Sequence, residues 1–262
     1  MIDTAALLRV YDQQLRMAET TNLPAGVTVE RDGPVVRIVG QFRGFISAPR
    51  DVGLQGRELD ELIVRQRDYF RARGEAVAWK VRGHDEPADL SARLRAAGFS
   101  PEEQETVLIA PVEALAIEPA APDSVTIRQV TADEDLRRIA ELESEVWGQD
   151  LSRLADDLIS RIEADPNGIA VFAAEAAGAV VSAAWLMFRS GTEFAGLLGG
   201  STSADWRGRG IYRALVAHRA KLAANRGVRY LQVDASEDSR PILQRLGFLA
   251  VTTTTPYVWA PS

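Results

Sequence analysis

The segment from Gly199 to Ala217, GGSTSADWRGRGIYRALVA, restricts the fold more than any other part of this chain, because a glycine-dense turn and two arginines lead straight into an amphipathic helix. The first backbone N–H groups of a helix lack a carbonyl partner four residues back and point outward along the axis, so an anion can satisfy several together. Gly208 and Gly210 remove side chains that would hold such an anion away and permit positive φ, while Arg207 and Arg209 add charge. Charge-assisted hydrogen bonds contribute roughly 1.5 to 3 kcal/mol each and the helix dipole about 0.3 to 1 kcal/mol, so several amides outweigh either arginine. Tyr212, Leu215, Val216, Leu222 and Ala223 share one helical face, and Asn225, Arg226 and Gly227 end the helix. Upstream, Glu193 to Ser203 is apolar, then small and hydroxyl-bearing. That pattern predicts a buried strand that admits something close to its backbone, with a bulge at Gly199 and Gly200. Taken alone, RGRG also suits an ordinary glycine-rich turn.

Missing parts exclude two phosphate motifs. No GxxxxGK[ST] is present, which argues against a nucleotide triphosphatase, and the turn comes too late in the chain for a dinucleotide fold. The chain has 262 residues and 46% hydrophobic content, enough for one or two cores. It has no cysteine, which excludes a disulfide framework, a thiolate metal site and a cysteine nucleophile. His84 and His218 are too few for a histidine metal cluster, so no metal is expected. The net charge of −7 disfavours a nucleic-acid partner, and no run approaches a membrane span or a signal peptide. These features fit a cytoplasmic enzyme.

Pro111 to Asp123, PVEALAIEPAAPD, reads as a linker between a domain at 1–110 and another at 124–262. In the second domain we expect a strand at Thr126 to Val130, helices at Asp133 to Val146 and Leu151 to Ala164, and strands at Ile169 to Ala174 and Ala179 to Phe188. The last two form a hairpin over Ala177 and Gly178. The fold class is α/β with a mixed sheet.

Arg207, Gly208, Arg209, Gly210, Ile211 and Tyr212 resemble the R/Q-x-x-G-x-G/A acyl-CoA signature of the GNAT superfamily of N-acyltransferases, with Tyr212 in place of the final small residue. VRYLQVDAS followed by EDSRPILQRLGF resembles the family's next strand, short helix and terminal Gly-Phe, and TIRQVTADEDLRRIAELESEVWG resembles its opening strand and helix. The resemblance implies acetyl-CoA as cosubstrate, held by Ser201, Thr202, Ser203, Ser236 and the 207–212 loop, and an amine-bearing small molecule or peptide as acceptor. A faint internal repeat extends it. EAVAWKVRGHDEPADLSARLRAAGF, Glu75 to Phe99, parallels Val228 to Phe248, each after a basic helix ending in Arg-Gly, as a degenerate GNAT-like first half would. Its loop, SAPRDVGLQGRELDELI, has Gly53 and Gly56 but no Arg-Gly-x-Gly, so we expect no acyl-CoA site there. His84, beside Asp85 and Glu86, reads as a loop histidine.

In such a reaction an amine attacks the thioester. Neutralising an alkyl ammonium of pKa near 10.4 at pH 7 costs about 4 to 5 kcal/mol, which calls for a base. Glu193, at the start of the strand before the cofactor loop, is the expected base, with Glu145 as a rival. The resemblance places the oxyanion's backbone donor around Ser201 to Ser203. It also shows two departures: Leu243 stands where many members have a tyrosine acid, and Ser236 where a loop asparagine is common. Water, Ser239 or Tyr257 are substitutes for the acid, or the thiolate, with a pKa near 8.5, leaves unaided. Trp147 and Trp206 are expected at a cleft rim or in packing. Three readings stay open: an N-acetyltransferase whose first half shapes the acceptor site or a homodimer, an impaired CoA-sensing or partner-binding module, and a scaffold that binds no CoA.

Overall fold

The computed structural model describes residues 3–16, 23, 26–40, 43–115 and 121–261. The first half runs α1 (Thr4–Gln14), β1 (Thr28–Asp32), β2 (Val35–Val39), β3 (Gly44–Ser47), α2 (Gly56–Ala72), β4 (Val77–Arg82), α3 (Leu90–Ala96), β5 (Ser100–Pro101) and β6 (Glu105–Pro111). The second half runs β7 (Thr126–Val130), α4 (Asp133–Trp147), α5 (Arg153–Ala164), β8 (Ile169–Ala176), β9 (Ala179–Phe188), β10 (Phe194–Thr202), α6 (Ile211–Asn225), β11 (Tyr230–Ala235), α7 (Arg240–Arg245) and β12 (Leu249–Trp259).

Local chemistry accounts for most boundaries. Asp133, Glu134 and Asp135 sit in the first turn of α4, where the dipole favours anions, and Gly148 ends it at φ 65°. Ala177 at φ 49° and Gly178 at φ 80° form the expected two-residue connection of the β8–β9 hairpin, whose backbone twist suits antiparallel strands. Among the described residues no helix is long and apolar enough to cross a membrane, and no cluster of three or more acidic or histidine side chains is arranged for a metal.

All strands join one mixed sheet in the order β1-β2-β3-β4-β12-β6-β11-β10-β9-β8-β7, with β5 beside β12. The order reveals an exchange that the sequence alone did not suggest. β12 pairs β6 from Leu249 to Thr254 and β4 from Thr254 to Trp259, while β6 pairs β11 from Thr106 to Pro111. The last strand of the second half, β12, therefore lies between β4 and β6 of the first, and β6 lies between β12 and β11, so neither half holds a complete sheet by itself.

The proposed linker begins inside this structure. Pro111 closes β6, residues Val112–Leu115 form a 3-10 turn, and Val112 and Leu115 are buried in the core beneath α6 and α7. Residues 116–120 of that stretch lie outside the described residues.

The internal repeat has a structural counterpart. β4, a loop, α3 and Gly98-Phe99 match β11, a loop, α7 and Gly247-Phe248; the two glycines have φ 92° and 103°, and both phenylalanines are buried. His84 does more than decorate a loop. Its ring nitrogens meet Asp12 of α1 at 3.0 Å and Thr252 of β12 at 2.8 Å, and Arg16 bridges Asp12 and Asp85, so the group clasps the two halves together.

Candidate active site

The parallel strands β10 and β11 pair with each other over only three positions, Phe194 to Gly196 against Tyr230 to Gln232, and then part, β10 running to Thr202 beside β9 and β11 to Ala235 beside β6. A bulge in β10 accompanies this splay. Its register with β9 passes from Gly199 opposite Ala184 to Ser201 opposite Ala183, leaving Gly200 extra, and such an insertion bends the strand and increases its twist. Both expected bulge glycines are required. Gly199 and Gly200 have φ 65° and 100°, and an added Cβ would lie 2.5 Å from the Trp185 ring or 2.6 Å from the Tyr212 ring. In the first half β3 and β4 likewise pair over three positions, Gly44 to Ile46 against Val77 to Trp79, but there Asp51 bridges to Glu86 beyond the pair and Val52 is buried in the first-half core.

Arg219 of α6 lies beneath the bulge and was missed from sequence. It is fully buried, donating Nε to Leu215 O at 3.1 Å and Nη1 to the Trp185 and Leu198 carbonyls at 3.3 Å each. Leu198 and Trp185 face each other just before the register slips, so the arginine supplies donors where the ladder falters. Burial lowers its pKa to about 10, and it stays charged at neutral pH. Its position on the buried stripe Tyr212, Leu215, Arg219, Leu222 was the available signal.

Past β10, a 3-10 turn at Ala204–Trp206 leads to the glycine loop. Gly208 and Gly210 have φ 73° and 83°, and neither has an atom within 4 Å of an added Cβ. Gly210 caps α6 with no side chain bonding the first-turn amides, which leaves those donors to an incoming anion. Arg207 ties the loop to the end of β10 through Nε to Thr202 O at 3.1 Å, and Arg209 lies 4.7 Å from the centre of the Trp206 ring. Ile211 turns its side chain into the core, so only its backbone faces the loop, and Tyr212 packs partly buried beneath Gly200. Thr202 and Ser203 are half-buried at the strand's end, and Ser236 follows β11 across the splay, meeting Ser239 Oγ at 3.2 Å.

One substitute acid falls away: Tyr257 belongs to the first-half core, with the Arg95 guanidinium 5.5 Å from its ring. Leu243, on α7, is fully buried in the second-half core.

Glu193 is also misplaced as a base. It precedes the start of β10, at the opposite end from the bulge, and is bonded to Gln14 at 2.9 Å and to Arg229 at 3.0 Å. The Gln14 hydrogen bond first, then Arg229, hold its carboxyl below the usual range and make it a poorer base. Glu145 is solvent-exposed. The carboxylate that does reach the bulge is Glu143, two residues earlier on α4. Its Oε2 accepts from Ser201 Oγ at 2.7 Å and from Trp147 Nε1 at 2.9 Å, and burial pushes its pKa up. Trp147, 61% exposed, lies over this contact rather than in a core. A second raised carboxyl, Glu105 of β6, sits near the Asp234–Lys80 ion pair that links β11 to β4; burial first and the Asp234 charge next push it up to about 7.

Comparison with known proteins accords with this geometry. Residues 134–248 match the acetyltransferase (GNAT) family. No curated protein matches the chain by sequence. Among solved structures, a GCN5-related N-acetyltransferase from Kribbella flavida covers 99% of this chain and 94% of its own, with a TM-score of 0.70 at 16% identity. A tandem GNAT protein from the clavulanic acid biosynthesis pathway covers 94% and 88%, with a TM-score of 0.64 at 16% identity. A GCN5-related N-acetyltransferase from Sphaerobacter thermophilus covers 88% and 82%, with a TM-score of 0.64 at 17% identity. At these identities the fold is what is shared.

Proposed function

We propose that this chain, whose residues 134–248 belong to the acetyltransferase (GNAT) family, transfers an acetyl group from acetyl-CoA to a primary amine of a small molecule or peptide within a ternary complex. The supporting observation is that the splay between β10 and β11 and the uncapped start of α6 meet at the end of one strand. A pyrophosphate suits the amides of the 207–212 loop, and an extended, amide-bearing arm suits the unpaired strand edges, much as a peptide adds to an open sheet. The loop's glycines leave room for the first, and the bulge bends the end of β10 beside the place where a thioester carbonyl would arrive, where the Ser203 amide is held by Val181 O at 2.9 Å.

The chemistry then needs little from an acid. A thiol of pKa near 8.5 is almost stable as an anion at neutral pH, so the thiolate departs unaided, in keeping with Leu243 lying in a core. Calorimetry with acetyl-CoA, followed by thiol release with a panel of amines, tests the reading. Binding with acceptor-dependent release supports it; binding without release for any amine favours a CoA-sensing module; no binding leaves a scaffold.

A further inference from the structure

We propose that Glu143 takes up the acceptor's proton through the hydroxyl of Ser201, with Trp147 covering the pair. The inference rests on the acyl-transfer reading and adds to it the residues that ready the amine. Glu143 is only 3% exposed, and its Oε2 holds the Ser201 and Trp147 contacts while its Oε1 is sealed from solvent with no hydrogen-bond partner. Among the described residues no arginine, lysine or histidine pairs with it. A glutamine would make both observed hydrogen bonds through its carbonyl oxygen without carrying a buried charge, so packing alone does not explain the carboxyl. What the acid adds is an exchangeable proton.

Ser201, itself only 6% exposed, links that proton to the bulge. It follows the bulge residue Gly200 directly and stands beside the Thr202 and Ser203 amides. Its oxygen donates to Glu143 and receives Trp147 Nε1 at 3.1 Å, which leaves one lone pair for an incoming ammonium. The ammonium gives one proton to Ser201 Oγ as Ser201 gives its own to Glu143. The neutral amine's lone pair then forms the C–N bond while the carbonyl π pair moves to oxygen. Collapse re-forms C=O, breaks C–S and releases the thiolate, which takes the surplus N–H proton; Glu143 later returns its proton to solvent through Ser201. Ser201 touches the amine, and Glu143 acts through it.

Because the chain has no cysteine, a thiol reagent reports CoA release without protein background. With spermidine, glucosamine and a lysine tripeptide as probes, Glu143→Gln is expected to lose roughly 10² to 10⁴-fold in kcat and the acid limb of the pH profile, with KM for acetyl-CoA unchanged. Ser201→Ala should fall comparably and Ser201→Thr recover. Wild-type kcat and pH profile in Glu143→Gln overturn the proposal and leave the acetyltransferase reading standing, whereas failure of the wild type to release thiol with any probe overturns both. A readout independent of the acceptor is Trp147 fluorescence against pH. A transition above the ordinary glutamate range, absent from Glu143→Gln and Trp147→Phe, supports the proposal, and one within that range overturns it.

Discussion

Burial raises the pKa of Glu105 to about 7, and this makes folding depend on pH in a defined direction. The folded state holds the proton more tightly than the unfolded chain, so stability falls as pH rises from about 4.5 to about 7 and is flat beyond. Glu105→Gln is therefore expected to unfold at higher urea than wild type at pH 8, by about 1 to 3 kcal/mol, with the difference vanishing near pH 4. Leu243→Tyr must fit a larger ring into a filled core. It is expected to cost about 1 to 3 kcal/mol in urea melts and bring no gain in thiol release. How far such residues are legible in sequence depends on helical phase. Glu143 lies seven residues after Leu136, four after Ile139 and three after Ala140, on the buried stripe of α4, whereas Glu145 is turned some 200° away. A carboxylate in an apolar stripe is thus legible from residue spacing alone. Nearness along the chain to the glycine loop is a poorer guide, because Glu193 precedes the strand that leads to that loop and so sits at the strand's far end.

At the scale of elements, the bulge and the glycine loop use glycine for different reasons, and substitution separates them. Gly200→Ala meets both a φ of 100° and the Tyr212 ring at 2.6 Å, so it should displace β10 and reduce turnover more than acetyl-CoA binding. Gly210→Ala has open space and only its φ of 83° to overcome, about 1 to 2 kcal/mol, so calorimetry should show weaker acetyl-CoA binding with a smaller change in melting temperature. Elements governed by local pattern follow the sequence closely: Thr126–Val130, Ala179–Phe188 and the Ala177-Gly178 turn fall where periodicity and turn chemistry put them. Partnership of strands is a different matter. The continuous apolar run in Glu105 to Pro111 suits a buried strand but carries nothing to say that its neighbours are β11 and β12 rather than β4.

Across the whole molecule, the exchange of β6 and β12 couples the halves. Residues 1–115 and 121–262 produced separately are each expected to lack stable structure by circular dichroism, because each leaves long strand edges unpaired. Produced together, they should copurify as a one-to-one complex with a single melting transition. The same arrangement gives the molecule a direction in mechanical terms. β12 is hydrogen-bonded along both flanks, to β6 and β4 with β5 alongside, so a force applied beyond Trp259 loads these ladders in shear and must break many bonds at once. A force applied at α1 meets a single short helix and then the edge strand β1, which has one partner. An energy-driven unfolding machine gripping the chain past β12 would stall where one gripping α1 would advance, so the clamp that builds the sheet also decides from which side the protein is easily taken apart.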